Sequence, residues 1–90
     1  MDRIGVLDLG TNTFRLLIAG RTAKHHLERN LMDRRVVRIG EGFVQSMRIS
    51  VPSVKRGAEV LKEFAFLLQH HGVDQALAVA TGVFREAENA

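Results

Sequence analysis

The sequence predicts an α/β chain built on a mixed sheet, and three observations carry that expectation. Short apolar runs separated by Gly- and Asn-containing turns follow one another through the first 42 residues. Past Ser50 the apolar period changes from two to between three and four, the mark of an amphipathic helix. A further apolar run, Val73 to Ala80, comes directly after that helix, so its strand is expected to lie parallel to an earlier one.

Residues 3–9 read as a first strand, apolar at Ile4, Val6, Leu7 and Leu9, which suits a central position covered on both faces. Gly10 to Asn12 form a turn, since Gly and Asn tolerate the backbone conformations a tight turn demands. Phe14 to Ala19 form a second strand that Gly20 ends. Residues 22–28 suggest a third, less apolar strand, Asn30 to Asp33 a turn, and Val36, Val37 and Ile39 a further strand before Gly40 to Gly42 break the pattern.

Ser50 is a favourable N-cap, and Pro52 is tolerated in a first helical turn where its missing amide costs nothing. Val54, Ala58, Leu61, Ala65 and Leu68, with Phe64 beside them, give one apolar face to a helix of about 19 residues that ends before Gly72. Gly57 inside it is expected to mark close packing against the sheet. Thr81 and Gly82 turn the chain, and Val83 to Asn89 begin a second helix. The pattern is expected to be the amino-terminal piece of a larger α/β protein, residues 1–90 forming part of one domain.

Composition narrows the function classes. The chain has 90 residues, 46% of them apolar, enough for one small core. A net charge of +3 permits a polyanionic partner without establishing one. The absence of cysteine excludes disulfides and thiolate metal sites. No signal-peptide pattern and no run of eighteen apolar residues is seen, so the expectation is a cytoplasmic chain with no membrane span. His25, His26, His70 and His71 come as adjacent pairs, which do not converge on a metal and are read as exposed histidines. Phe43, Phe64 and Phe66 are read as core. With no Tyr or Trp the chain offers few stacking platforms, so nucleic-acid recognition is poorly supported.

The residues that point to chemistry cluster after the first strand. Asp8 ends an apolar strand, where a charge must be used or paired, and holding magnesium is one such use. The amides around Gly10, Thr11 and Asn12 are candidates for a concave phosphate nest, with the hydroxyls of Thr11 and Thr13 and the Asn12 amide adding donors. Taken locally, the same residues also suit a plain hairpin turn, and both readings stay open. Arg15 follows in the second strand, where it can approach an anionic ligand or simply face solvent, and the solvent-facing reading is favoured. Arg85 begins the last helix, at the sheet edge where open α/β sheets bind ligands, and an Arg there can clamp phosphate.

Four segments carry a resemblance. Ile4-Gly-Val-Leu-Asp-Leu-Gly-Thr-Asn-Thr-Phe-Arg-Leu-Leu-Ile-Ala19, Val37-Arg-Ile-Gly-Glu-Gly42, Ser50 to Gly72, and Val79-Ala-Thr-Gly-Val-Phe-Arg-Glu-Ala-Glu-Asn89 together resemble the exopolyphosphatase / guanosine pentaphosphate phosphohydrolase family over essentially the whole chain. The first segment alone is shared in outline by sugar kinases, actins and heat-shock chaperones; the last segment makes the match specific. The resemblance implies an actin-like, ribonuclease H-like fold, present in part, and magnesium-dependent hydrolysis of phosphoanhydride bonds in polyphosphate or guanosine pentaphosphate. It implies that Asp8 positions the metal or the attacking water, that Gly10, Thr11, Asn12 and Thr13 hold phosphate, and that Arg85 contacts substrate phosphates. The family's catalytic base, a glutamate, lies beyond the last segment, and Glu86 and Glu88 do not replace it. The family typically has Ser at the positions of Thr11, Thr13 and Gly82; Gly82 alone loses the hydroxyl. ATP-dependent phosphotransfer, as in sugar or acetate kinases, and a non-catalytic phosphate-binding or assembly module are the alternatives. Unpaired strand edges also predict self-association.

Overall fold

A computed structural model describes residues 3–21, 27–43 and 47–89. Four strands, β1 (Arg3–Leu9), β2 (Thr13–Arg21), β3 (Leu27–Val36) and β4 (Gln75–Ala80), form one sheet in the order β3-β2-β1-β4. β1 and β2 pair antiparallel, as do β2 and β3, while β4 lies parallel to β1. The sheet is therefore mixed, as the sequence predicts. The long helix α1 (Val51–His70) supplies the crossover into β4, and a single helical turn, α2 (Val83–Glu86), follows.

The helix start is set by side-chain chemistry. Ser50 has extended backbone and its Oγ accepts from the Ser53 amide at 3.2 Å, satisfying a donor that no helical carbonyl reaches. The core lies between α1 and one face of the sheet. Phe14, Leu16 and Ile18 alternate along β2 onto that face and join Leu7, Val37, Ile39 and Phe64. Gly57 is where the helix comes closest: a β-carbon there would lie 2.9 Å from Ile39 Cδ1 and 3.4 Å from Phe14 Cε2.

That close approach corrects the predicted helix face. The buried residues of α1 are Ser53, Gly57 and Phe64, with Val60, Leu67 and Leu68 packed beside them. Val54 and Leu61 stay partly exposed, and Ala58 and Ala65 are exposed. Small residues let the helix dock along a stripe that a count of apolar residues does not single out. Phe66 is likewise not core: it is 64% exposed and stacks on His70 with ring centroids 5.9 Å apart. Phe43 and Phe64 are buried as expected.

Four predicted boundaries also change. Asn30 to Asp33 are not a turn. They lie inside β3, where Ile18 pairs with Leu31 but Ala19 with Arg29, leaving Asn30 as the extra residue of a bulge. Strand pairing satisfies the backbone there and overrides the turn propensity of Asn and Asp. Val37 and Ile39 fall after the end of β3, because Arg38 between them adopts a left-handed backbone (φ 57°). The last helix stops at Glu86: Ala87 turns extended, and Asn89 instead bonds both backbone groups of Ile49, accepting from its amide at 2.8 Å and donating to its carbonyl at 3.0 Å. β2 runs past Gly20 to Arg21. His25, His26 and most of the strand predicted over 22–28 lie outside the described residues. No helix among the described residues is long and apolar enough to cross a membrane.

Candidate phosphate site

The parallel pairing of β1 and β4 brings the ends of two distant segments together. Leu9 registers with Ala80, and the Thr81 amide donates to the Leu9 carbonyl at 3.1 Å. The turn between β1 and β2 thus sits beside the turn that leaves β4, although β2, β3 and the helix α1 separate them in sequence.

The turn is held by its own carbonyls and one hydroxyl. The Gly10 amide donates to the Thr13 carbonyl at 3.1 Å. The Asn12 carbonyl accepts from the amides of Val37 (2.8 Å) and Arg38 (2.9 Å), and the Thr11 carbonyl accepts from the Gly40 amide at 3.1 Å. On the other side, Thr11 Oγ1 accepts from the Val83 amide at 3.3 Å. Among the described residues no acceptor meets the amides of Thr11 and Asn12, and both residues are exposed. Asn12 Nδ2 donates to Thr13 Oγ1 at 3.4 Å. Unpaired, exposed amides on a tight turn are the ingredients of an anion-binding nest.

Gly82 is fixed by the same contact. Its backbone (φ 65°, ψ −124°) is one that side chains rarely adopt, and a β-carbon there would fall 1.9 Å from Thr11 Oγ1. The Thr11 hydroxyl thus fills the space a side chain at position 82 would need.

Asp8 lies opposite Arg15 across β1 and β2, and Arg15 Nη1 stands 3.6 Å from Asp8 Oδ2, each side chain about half exposed. Both alternate with the core residues of their strands, so they share the sheet face away from α1. Arg15, read from sequence as a plain surface residue, is thus the partner of Asp8. The predicted three-residue turn at Gly10–Asn12 would have set Asp8 opposite Phe14; the observed register leaves four residues, Gly10 to Thr13, between the paired Leu9 and Phe14, and so sets Asp8 opposite Arg15.

Arg85 sits on α2, exposed, with its amide donating to the Gly82 carbonyl at 3.0 Å. The Thr11–Val83 bond brings its element against the turn, but no hydrogen bond or ion pair joins its guanidinium to Asp8 or to the turn. Glu88 pairs with Arg48 at 3.5 Å, away from Asp8. Arg38, absent from the sequence-based candidates, lines an open cavity of about 270 Å³ with Thr11, Asn12, Gly40 and Glu41. On the helix side of β3, hydrogen bonds from Arg35 hold the Asp33 carboxyl below its usual range and raise Arg35 in turn.

Comparison with known proteins follows the same outline. The sequence profile of the Ppx/GppA phosphatase family matches residues 17–90. The chain belongs to the Ppx/GppA phosphatase family. It is 32% identical over 95 residues to exopolyphosphatase 2 of Mycobacterium tuberculosis, covering 99% of this chain and 29% of that protein. Against exopolyphosphatase 1 of Mycobacterium bovis the identity is 34% over 91 residues, covering 97% and 25%. The crystal structure of the Aquifex aeolicus Ppx/GppA phosphatase superposes with a TM-score of 0.92 at 27% identity, over 98% of this chain and 29% of that one. An exopolyphosphatase from Cytophaga hutchinsonii gives 0.92 at 32% identity, over 98% and 28%. The chain therefore spans less than a third of these relatives' length, and its mixed α/β arrangement is that of the corresponding part of Ppx/GppA structures.

No group of three His, Cys, Asp or Glu residues among the described ones converges on a metal position. Asp8 is a single, half-exposed carboxylate whose neighbour is Arg15.

Proposed function

We propose that this chain is the amino-terminal part of one actin-like domain in an enzyme that hydrolyses phosphoanhydride bonds of inorganic polyphosphate or guanosine pentaphosphate. Membership of the Ppx/GppA family supports the reaction class, and the coverage of relatives supports the partial domain. The observation that carries the site is the Thr11–Val83 bond, which joins the turn after β1 to the turn after β4 at one sheet edge. Open α/β sheets bind ligands at that edge.

In this reading Gly10, Thr11, Asn12 and Thr13 hold phosphoryl oxygens through backbone amides and hydroxyls. Arg85, on the neighbouring turn, adds a bidentate cation. Asp8, steadied by Arg15, ligates magnesium or orients the attacking water. Magnesium, when bound, supplies charge neutralisation on the phosphates. The catalytic base belongs to a part of the enzyme outside residues 1–90, so the chain by itself binds without turnover.

The test has two readouts on the purified chain with magnesium. Calorimetric titration with sodium tripolyphosphate is expected to saturate, and Asn12→Ala is expected to weaken it. Orthophosphate release from polyphosphate is expected to stay at background, with or without ATP. Absence of binding overturns the site; steady release overturns the assignment of the base elsewhere, and release that requires ATP favours phosphotransfer.

A further inference from the structure

Arg38 carries a backbone that glycine or asparagine would adopt with less strain. Its φ is 57°, in the left-handed region that L side chains disfavour. The surrounding structure enforces it. The Arg38 amide donates to the Asn12 carbonyl at 2.9 Å. The Arg38 carbonyl accepts from the Glu41 amide at 3.1 Å, from Arg56 Nη2 at 3.0 Å and from Ser53 Oγ at 3.3 Å. Ser53 is fully buried, and Arg56 also reaches the Val37 carbonyl through Nε at 2.8 Å. Two residues of α1 thus clamp the strained peptide against the turn after β1.

The side chain is treated differently from the backbone. The Arg38 guanidinium has no hydrogen-bond or ion-pair partner among the described residues, and the residue is exposed. It borders the open cavity of about 270 Å³ that also contains Thr11 and Asn12, whose amides are unpaired. Glu41, the acid of that cavity, is directed to Arg56 at 3.9 Å. A strained backbone held by several bonds, with an unpartnered cation displayed beside unpaired amides, is how strain is stored at a ligand site.

We infer that Arg38 is a further substrate-binding residue, which binds a phosphoryl group of a linear oligophosphate lying across the Thr11–Asn12 turn. This rests on the proposed phosphate site and adds a second cation to it. The phosphoryl group is common to an inorganic chain and a nucleotide, so both are probes.

The experiment titrates the 90-residue chain, with magnesium, with sodium tripolyphosphate and separately with guanosine triphosphate, and follows urea unfolding in parallel. Arg38→Gly and Arg38→Asn both suit the left-handed backbone and remove the charge. Both are expected to leave the urea midpoint unchanged or higher, and to weaken both ligands about ten- to a hundredfold, the worth of one charge-assisted contact. Affinity for tripolyphosphate within about twofold of the parent overturns the inference and leaves the turn's own role standing. A loss confined to the nucleotide also overturns it, since the contact would then be to the nucleoside. Failure of the parent chain to bind either ligand overturns both the inference and the site on which it rests.

Discussion

Gly82→Ala, tested alone and together with Thr11→Ala, examines the joint between the two turns. A β-carbon at position 82 meets two separate penalties. The backbone there has φ 65° and ψ −124°, and a side chain in such a conformation costs about 1–2 kcal/mol. The new carbon would also lie 1.9 Å from Thr11 Oγ1, so the threonine must move and the hydrogen bond to the Val83 amide is lost, about another 1 kcal/mol. Gly82→Ala should therefore destabilise the chain by about 2–3 kcal/mol. Thr11→Ala removes the same hydrogen bond and should cost about 1 kcal/mol. In the double variant the bond is lost only once and the clash is relieved, so its cost should stay near that of Gly82→Ala. The expected coupling is about 1 kcal/mol, with the double variant more stable than additivity predicts. Urea unfolding with linear extrapolation measures all four corners of the cycle. Additivity to within about 0.4 kcal/mol would refute the reasoning, because the two positions would then not compete for one space.

Two further outcomes follow from other parts of the sheet. Asp33 accepts two hydrogen bonds from Arg35 (3.1 and 3.0 Å) and one from the Arg34 amide (2.7 Å), which hold its carboxyl below the ordinary value of 3.8. A lowered folded value contributes stability above the ordinary value and loses it as the pH falls through the lowered one. Asp33→Asn should cost about 1 kcal/mol at neutral pH, the pair being partly exposed, and the gap should close in acid; a gap unchanged well below pH 3.8 would count against the assignment. All six residues of β4 are exposed, Leu77 by 64% and Val79 by 46%, and its outer edge pairs with no strand among the described residues. The chain should elute from size exclusion as more than a monomer, and Val79→Lys should reduce this; a clean monomer at all concentrations would argue against edge pairing.

Much of the fold was legible because its signals are local. Apolar runs over residues 3–9 and 14–19 marked two strands, and Gly10 to Asn12 the turn between them. Ser50, Pro52 and Gly72 bracketed α1. The parallel placement of β4 followed from the crossover helix before it. Some features decided by a partner far along the chain were not legible. Asn30 to Asp33 have turn propensity, but pairing with β2 drew them into a strand with a bulge. Val54 and Leu61 look like the inner face of α1, yet the smallness of Ser53 and Gly57 let the helix seat on its neighbouring stripe.

The candidate site divides the same way. The sequence by itself determined the chemistry available: a carboxylate at Asp8, a tight polar turn at Gly10 to Thr13, a cation at Arg85, and the Ppx/GppA likeness that unites them. Tertiary structure decided which of these meet. It set Arg15 against Asp8 through hairpin register, and joined Thr11 to Val83 through the parallel pairing of β1 and β4. It also brought Arg38 to the turn, held in a left-handed backbone by Ser53 and Arg56 of α1. Residue type fixes what a group can bind, but a hydrogen bond acts over about 3 Å, and only the folded chain brings groups so far apart in sequence within that reach.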